Sequence, residues 1–333
     1  MLLLFFYLTY NTFWLYLYRK GSLANYMNKG HRTGKRYIVP EYIFYGNYFY
    51  GICAVALTVE ATVQQEFPLN GFWYFVVVFC TTVLYYTYPY VRKGSATSTN
   101  PRTNWYTRHY HQMLWSQITM TIMLLLLLIL FLRDYGQLVF TMTVPQWILL
   151  LIFPAVAGLY YGASFLSKNN LRNIGWLKPF VIGFTWAGLV TIYPVLFYSV
   201  VHNMEFHPNF IRILLFTKNF MFITLLCIMF DIKDYRADYI RHLRTFVVKM
   251  GLRKTIFYIV FPLTLLGLVS FLTYAFTHGF SFMKIILNII PFLLLILGAY
   301  SLRKRRSLLY YLIVIDGLML VKAICGTLAM LYF

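Results

Sequence analysis

Apolar runs long enough to cross a membrane recur along the chain, separated by short stretches that are basic or turn-forming. They fall at about 42–62, 71–91, 111–132, 144–164, 177–200, 210–231, 255–277, 282–302 and 308–331. A helix needs roughly 20 apolar residues to cross a hydrocarbon core about 30 Å thick, and these runs have that length. They are continuous, as in ITMTIMLLLLLILF at 118–131, whereas the strands of a membrane barrel alternate apolar and polar residues. The predicted fold class is all-α: a polytopic membrane protein of about nine transmembrane helices, forming one domain over 41–333. Tyr85, Tyr86, Tyr88 and Tyr90 gather at one span end, where amphipathic rings favour the headgroup level.

Residues 1–40 read differently. The first 18 are apolar and aromatic but broken by Thr9, Asn11 and Thr12, and they are followed by Arg19 and Lys20. A signal peptide carries its basic residues before the apolar run. The expectation is an interfacial helix on the inner leaflet leading into a basic segment; the alternative is a tenth span.

Composition strengthens the membrane reading. Only 11% of residues are charged and 60% are hydrophobic, against about 25% charged in soluble domains. The net charge of +20 raises the question of nucleic acid, and its distribution answers it. All but five of the 29 Lys and Arg residues lie before the first span or in alternate loops; the exceptions are Arg133, Arg212, Lys218, Lys284 and Lys322. By the positive-inside rule those loops face the cytoplasm. The charge is therefore topological and lipid-directed, with no nucleic-acid partner. Cys53, Cys80, Cys227 and Cys325 all lie within spans, without metal spacing, and read as small buried apolar residues.

Candidate chemistry centres on scarce acids. Of nine Asp and Glu, three fall in FDIKDYRADYIRHLRTFVVKMG, at Asp231, Asp234 and Asp238. At about 100° per residue the i, i+3, i+7 spacing puts them within roughly 60° on one helix stripe. Like charges so arranged repel, and a divalent cation relieves the repulsion. Mg²⁺ typically joins one or two carboxylates to substrate phosphates. Here it would stand at the cytoplasmic end of the sixth span, with a lipid tail in the bilayer. The alternative is a solvated helix end, with Lys233, Arg236 and Arg241 as ion-pair partners.

The flanking residues carry a resemblance. DxxDxxxD followed by RTFVVKMG resembles the second aspartate-rich motif of the UbiA superfamily of intramembrane prenyltransferases, which runs into a stretch like GxRTLPVRLG. The upstream YYGASFLSKNNLRNIGWLKPFVIGFTWAG resembles that family's fourth-to-fifth segment. The likeness is best over about 158–256. It implies nine helices around a central cavity open laterally to lipid. It also implies transfer of a prenyl group from a prenyl diphosphate to a lipophilic acceptor, with Mg²⁺ as cofactor. Residue by residue, Asp231, Asp234 and Asp238 match the second motif as metal ligands, with Asp234 and Asp238 in the catalytic role. The location implied is a bacterial inner membrane with functional loops in the cytoplasm.

One departure changes the picture. The family's first motif, NDxxDxxxD, belongs in the second-to-third loop, which here reads YPYVRKGSATSTNPRTNWYTRHYHQ and holds no acid. Its Arg92, Lys93, Arg102 and Arg108 are candidates to bind phosphate directly, as cations can, or are topological charges only. Lys168, Arg172 and Lys233 join Arg102 and Arg108 as candidate diphosphate contacts. The alternative function is a catalytically inactive protein on the same scaffold, binding a lipid or serving as a partner subunit. A CDP-alcohol phosphotransferase is disfavoured, because Asp234 is followed by Tyr235 rather than Gly and no second acid pair follows.

Smaller signals remain. His109 and His111 lie just after Arg108 as capping or phosphate-assisting groups. Asp316 and Lys322 are intramembrane charges, functional by default, on different faces of the ninth span. Lys218 with Asn219 is expected to face the cavity, and Glu60 to lie at the membrane interface.

The topology is open to test by cysteine-accessibility labelling in intact cells. A cysteine at Ser95 is expected to be shielded from outside and one at Asn203 accessible; outside labelling at Ser95 would overturn the assignment.

Overall fold

The computed structural model describes residues 38–92, 100–162, 175–204, 206, 210–240 and 242–333. The chain divides into two compact units, Met1–Val39 and Pro40–Phe333, and only residues 38 and 39 of the first are described. Lys168 and Arg172, like the N-terminal residues 1–37, lie outside the described residues.

The described residues form helices and no strand. In chain order these are α1 (Ile38–Tyr45), α2 (Tyr48–Gln64), α3 (Phe72–Arg92), α4 (Pro101–Arg108), α5 (Tyr110–Phe140), α6 (Val144–Gly162), α7 (Lys178–Val201), α8 (Phe210–Ile240), α9 (Phe246–Met250), α10 (Leu252–Thr277), α11 (Phe282–Ser301) and α12 (Leu308–Tyr332). Among the described residues, α3, α5, α7, α8, α10, α11 and α12 are long and apolar enough to cross a membrane. The α1–α2 pair makes an eighth if it is one broken span, and α6 offers a shorter apolar stretch, Val144–Gly158. The chain is a polytopic helical membrane protein.

Its first apolar run departs from the expected single helix: α1 and α2 meet at 64°. The break is at Gly46–Asn47, where Asn47 sits in the left-handed region at φ 65°, a conformation Asn tolerates better than most residues. Its side chain is held on both sides, Nδ2 donating to Thr87 Oγ1 and to the Tyr106 hydroxyl, each at 3.0 Å. The break frees the Tyr45 carbonyl, and Arg102 Nε and Nη2 both donate to it at 3.1 Å. Nη2 also donates to Asn47 Oδ1, and the guanidinium lies 4.7 Å from the Tyr90 ring centre. Freed backbone groups at membrane depth must be satisfied within the protein, and α4 delivers that satisfaction. Burial pushes the Tyr106 hydroxyl up to about 12, so it stays protonated in this network.

The core runs along α8, where Leu226, Ile228 and Met229 are buried against Leu57, Leu295 and Ile315 from α2, α11 and α12. Three π turns interrupt the surrounding helices, Gly188–Ile192 in α7, Ile256–Val260 in α10 and Tyr311–Ile315 in α12. By contrast, the most apolar stretch of α5 buries nothing and presents Ile122, Leu125, Leu126 and Ile129 outward, as a lipid-facing helix does.

Glu60 is a correction: it is not interfacial but 1% exposed. Lys322 Nζ donates to its Oε2 at 2.5 Å, so the two intramembrane charges clamp α2 to α12. A Cβ at Gly326 would press on the same Glu60 side chain and on Gln64, so a larger residue there would have to displace the charged cluster. Breaking a buried pair from one side costs about 3–5 kcal/mol, while replacing both charges with apolar volume is often neutral. Lys218 Nζ also stands 3.8 Å from Glu60, so Lys322→Met is expected to lower stability in detergent by less than that, and only removal of all three charges in Glu60→Leu/Lys218→Met/Lys322→Met to recover most of the loss. A denaturant titration of the two variants measures the difference.

Candidate functional site

The three aspartates stand where α8 leaves the core. Asp231 and Asp238, seven residues apart and hence on one face, are both buried, while Asp234 between them is partly exposed. Asp231 Oδ1 accepts from Lys178 Nζ at 2.7 Å, and its Oδ2 is buried with no hydrogen-bond partner among the described residues. Lys233 Nζ lies 3.3 Å from Asp234 Oδ1 and 4.8 Å from the Phe230 ring centre. The Asp238 carbonyl accepts from Leu243 N at 2.9 Å and so starts the turn out of α8.

That turn explains the RTFVVKMG stretch. Thr245 is extended and its hydroxyl accepts from Val248 N at 3.3 Å, capping α9. Gly251 then takes φ 81° between α9 and α10, a conformation that favours glycine. The chain is thereby reversed within a few residues and re-enters the bundle as α10.

Asp316 comes to the same end from α12. The π turn before it closes with Asp316 N donating to Tyr311 O at 3.0 Å. Such turns reorient side chains and recur at functional sites. The Asp316 carboxylate is buried and accepts from the Tyr50 hydroxyl at 2.6 Å. Tyr50 stacks on Tyr86 with ring centres 4.7 Å apart, and Tyr86 accepts from Trp186 Nε1 at 2.6 Å. Arg102 and Lys233 are both within electrostatic reach of Asp316.

Six helices thus bring charge or polar tyrosines to one end of the bundle: α2, α3, α4, α7, α8 and α12. Of the residues singled out from sequence, Asp231, Asp234, Lys233 and Arg102 belong to this gathering, and Asp238 lies one turn beyond Asp234. Arg108 is exposed as the last residue of α4. His109 caps rather than reaches in, its Nδ1 2.9 Å from Trp105 O and its ring 4.6 Å from the Trp105 ring. Lys178 and Tyr50 were not singled out. Lys178 had a signal, a lone basic residue opening the fifth span beside Pro179; Tyr50 had none among 30 tyrosines. Among the described residues no three acidic, His or Cys side chains stand close enough together to hold a metal ion by themselves. The cysteines are free, three buried and Cys227 partly so.

The chain matches no known family, no curated protein and no solved structure. The likeness to the UbiA superfamily rests on the sequence motifs alone.

Unequal burial makes the Lys178–Asp231 pair asymmetric: the lysine side chain is 30% exposed, the carboxylate 2%. Removing the cation strands a buried charge, whereas removing the carboxylate leaves an ammonium with a route to water. Lys178→Met is expected to destabilise by about 3 kcal/mol and Asp231→Asn by roughly half that, read from unfolding titrations of the purified variants.

Proposed function

We propose that this polytopic protein is a UbiA-like intramembrane prenyltransferase homologue with an altered first metal site. In this reading nine membrane-crossing helices surround one cavity. The protein holds a prenyl diphosphate by its head at the acidic end of α8 and passes the prenyl group to a lipophilic acceptor. The basic loops face the cytoplasm of a bacterial inner membrane. The observation that carries it is the gathering of Asp231, Asp234, Lys178 and Lys233 at that end, with Asp316 and Arg102 in reach. An apolar bundle concentrates charge where a charged ligand is handled.

The residues fit a metal to a limited degree. Asp231 offers a buried oxygen without a hydrogen-bond partner among the described residues, and Asp234 is its neighbour one turn on; Asp238 extends the stripe. Mg²⁺ held by one or two of these carboxylates would offset the negative charge of a diphosphate. The chain's own cations do the rest. Lys233 and Lys178 already stand against the acids and would meet phosphate oxygens, and Arg108 is exposed at the end of α4. Arg102 has part of its guanidinium engaged with Tyr45 and Asn47, so it contributes field rather than a fully open fork.

A second reading also has support. Asp231 is matched by Lys178 and Asp234 by Lys233, and such a cluster is neutral without any ligand. A catalytically inactive scaffold, binding lipid or a partner subunit, would keep these pairs for stability alone.

Binding of a radiolabelled prenyl diphosphate to the purified protein, with and without Mg²⁺, separates the two. The first reading expects Mg²⁺-dependent binding that Asp234→Ala abolishes and diphosphate release in the presence of an acceptor. Because Asp234 is partly exposed, that variant should fold. If the wild type binds no better than Asp234→Ala, the scaffold reading takes its place.

A further inference from the structure

A second concentration of charge lies at the other end of α8. A pocket of about 700 Å³ opens between α8, α10, α11 and the second half of α12, a size within the range of small-molecule sites. Phe222, Leu225, Leu263, Phe292 and Leu295 give it apolar walls, and Lys218, Lys284 and Lys322 line it as well. Lys218 is thirteen residues from Asp231 on α8, about 20 Å along the helix, so this is not the site proposed above.

Behind the wall two lysines share one carboxylate. Lys322 makes the close contact with Glu60 at 2.5 Å, while Lys218 Nζ stands 3.8 Å from its other oxygen. Gln64 bridges the gap, its Nε2 donating to Glu60 Oε1 at 3.1 Å and its Oε1 accepting from Lys218 at 3.2 Å. Glu60 and Lys322 neutralise one another, which leaves Lys218 as a net positive charge facing the pocket with its side chain 20% exposed. The acid that lines the pocket itself, Glu66, is exposed and stands near Tyr274 at the rim, away from the buried Glu60 cluster. An ammonium left over in a low-dielectric interior is costly, and an anion beside it removes the cost.

We propose that this pocket binds a single-chain anionic amphiphile. Its carboxylate or phosphate head meets Lys218, and its hydrocarbon tail lies along the apolar wall. The tail follows from the shape: from Lys218 to Leu225, about 10 Å further along α8, the lining residues are Met221, Phe222 and Leu225. A free inorganic anion would leave that wall wet.

The test uses the purified full chain in neutral detergent and measures binding of radiolabelled palmitate. Competitors are hexadecyl phosphate, methyl palmitate and inorganic phosphate. Saturable palmitate binding is expected, displaced by hexadecyl phosphate but not by methyl palmitate or inorganic phosphate. Lys218→Met should weaken it roughly tenfold or more, and Lys218→Arg should largely keep it. Since Lys218→Met leaves the Glu60–Lys322 pair intact, gel filtration should show a folded protein; if it does not, the methyl palmitate arm decides. Equal competition by the methyl ester, undiminished binding in a folded Lys218→Met, or no saturable binding overturns the proposal. Displacement by inorganic phosphate at matching concentration also overturns it, in favour of a free-anion site. None of these outcomes depends on whether prenyl diphosphate binds at the far end.

Discussion

Inside an apolar bundle a charge is stable only beside an opposite charge or when its hydrogen bonds are met by freed polar groups, and that constraint organises this protein. The Glu60 carboxylate on α2 meets Lys322 on α12 and, less closely, Lys218 on α8. Asp231 on α8 meets Lys178 at the start of α7. Each pairing joins elements far apart in sequence, so each fixes a helix register that apolar packing alone leaves free to slide. Leucine against leucine tolerates small displacements; an ammonium 2.5 Å from a carboxylate does not. Small residues then let the helices come close enough for the contacts to form, as Gly326 does beside Glu60.

The same constraint acts on the backbone. Breaking the first apolar run at Asn47 exposes a carbonyl and a turn to the bilayer interior, which is tolerable only because Arg102, Thr87 and Tyr106 satisfy them. Arg102 is therefore both a charge and a structural donor. The acid-free loop between the second and third apolar runs supplies a cation that α4 buries, and the electrostatic field of that cation reaches Asp316. Loop, bend and intramembrane acid form one connected arrangement.

How much of this was legible in the sequence depends on the range of the interaction. Helices followed from apolar runs, because span length is a local property. The acid stripe followed from spacing along one helix, and Asp231 and Asp238 do share a buried face. The bend at Asn47 did not, since a single Asn in the mostly apolar run 42–62 does not by itself break a helix and the partners that permit the break lie 40 and more residues away. Glu60 was misjudged for the same reason: its position near a span end suggests the interface, and only the arrival of Lys322, 262 residues later, makes burial affordable. Lys178 was visible as a topological charge but not as the partner of Asp231. The π turn before Asp316 leaves no mark in the sequence at all.

The two charged regions along α8 differ in how completely they balance. At the acidic end Lys178 and Lys233 are matched with Asp231 and Asp234, and the Asp316 carboxyl lies within electrostatic reach of Arg102 and Lys233. At the other end Lys218 exceeds what Glu60 can neutralise once Lys322 has taken it. A balanced cluster can accept a ligand that brings its own counter-ion, such as a phosphate with a divalent cation, because the pair adds little net charge. An unbalanced one favours a lone anion. The hydrophobic residues between Leu225 and Asp231, about 9 Å of helix, keep the two regions apart. The two ends of one helix therefore suit headgroups of different charge.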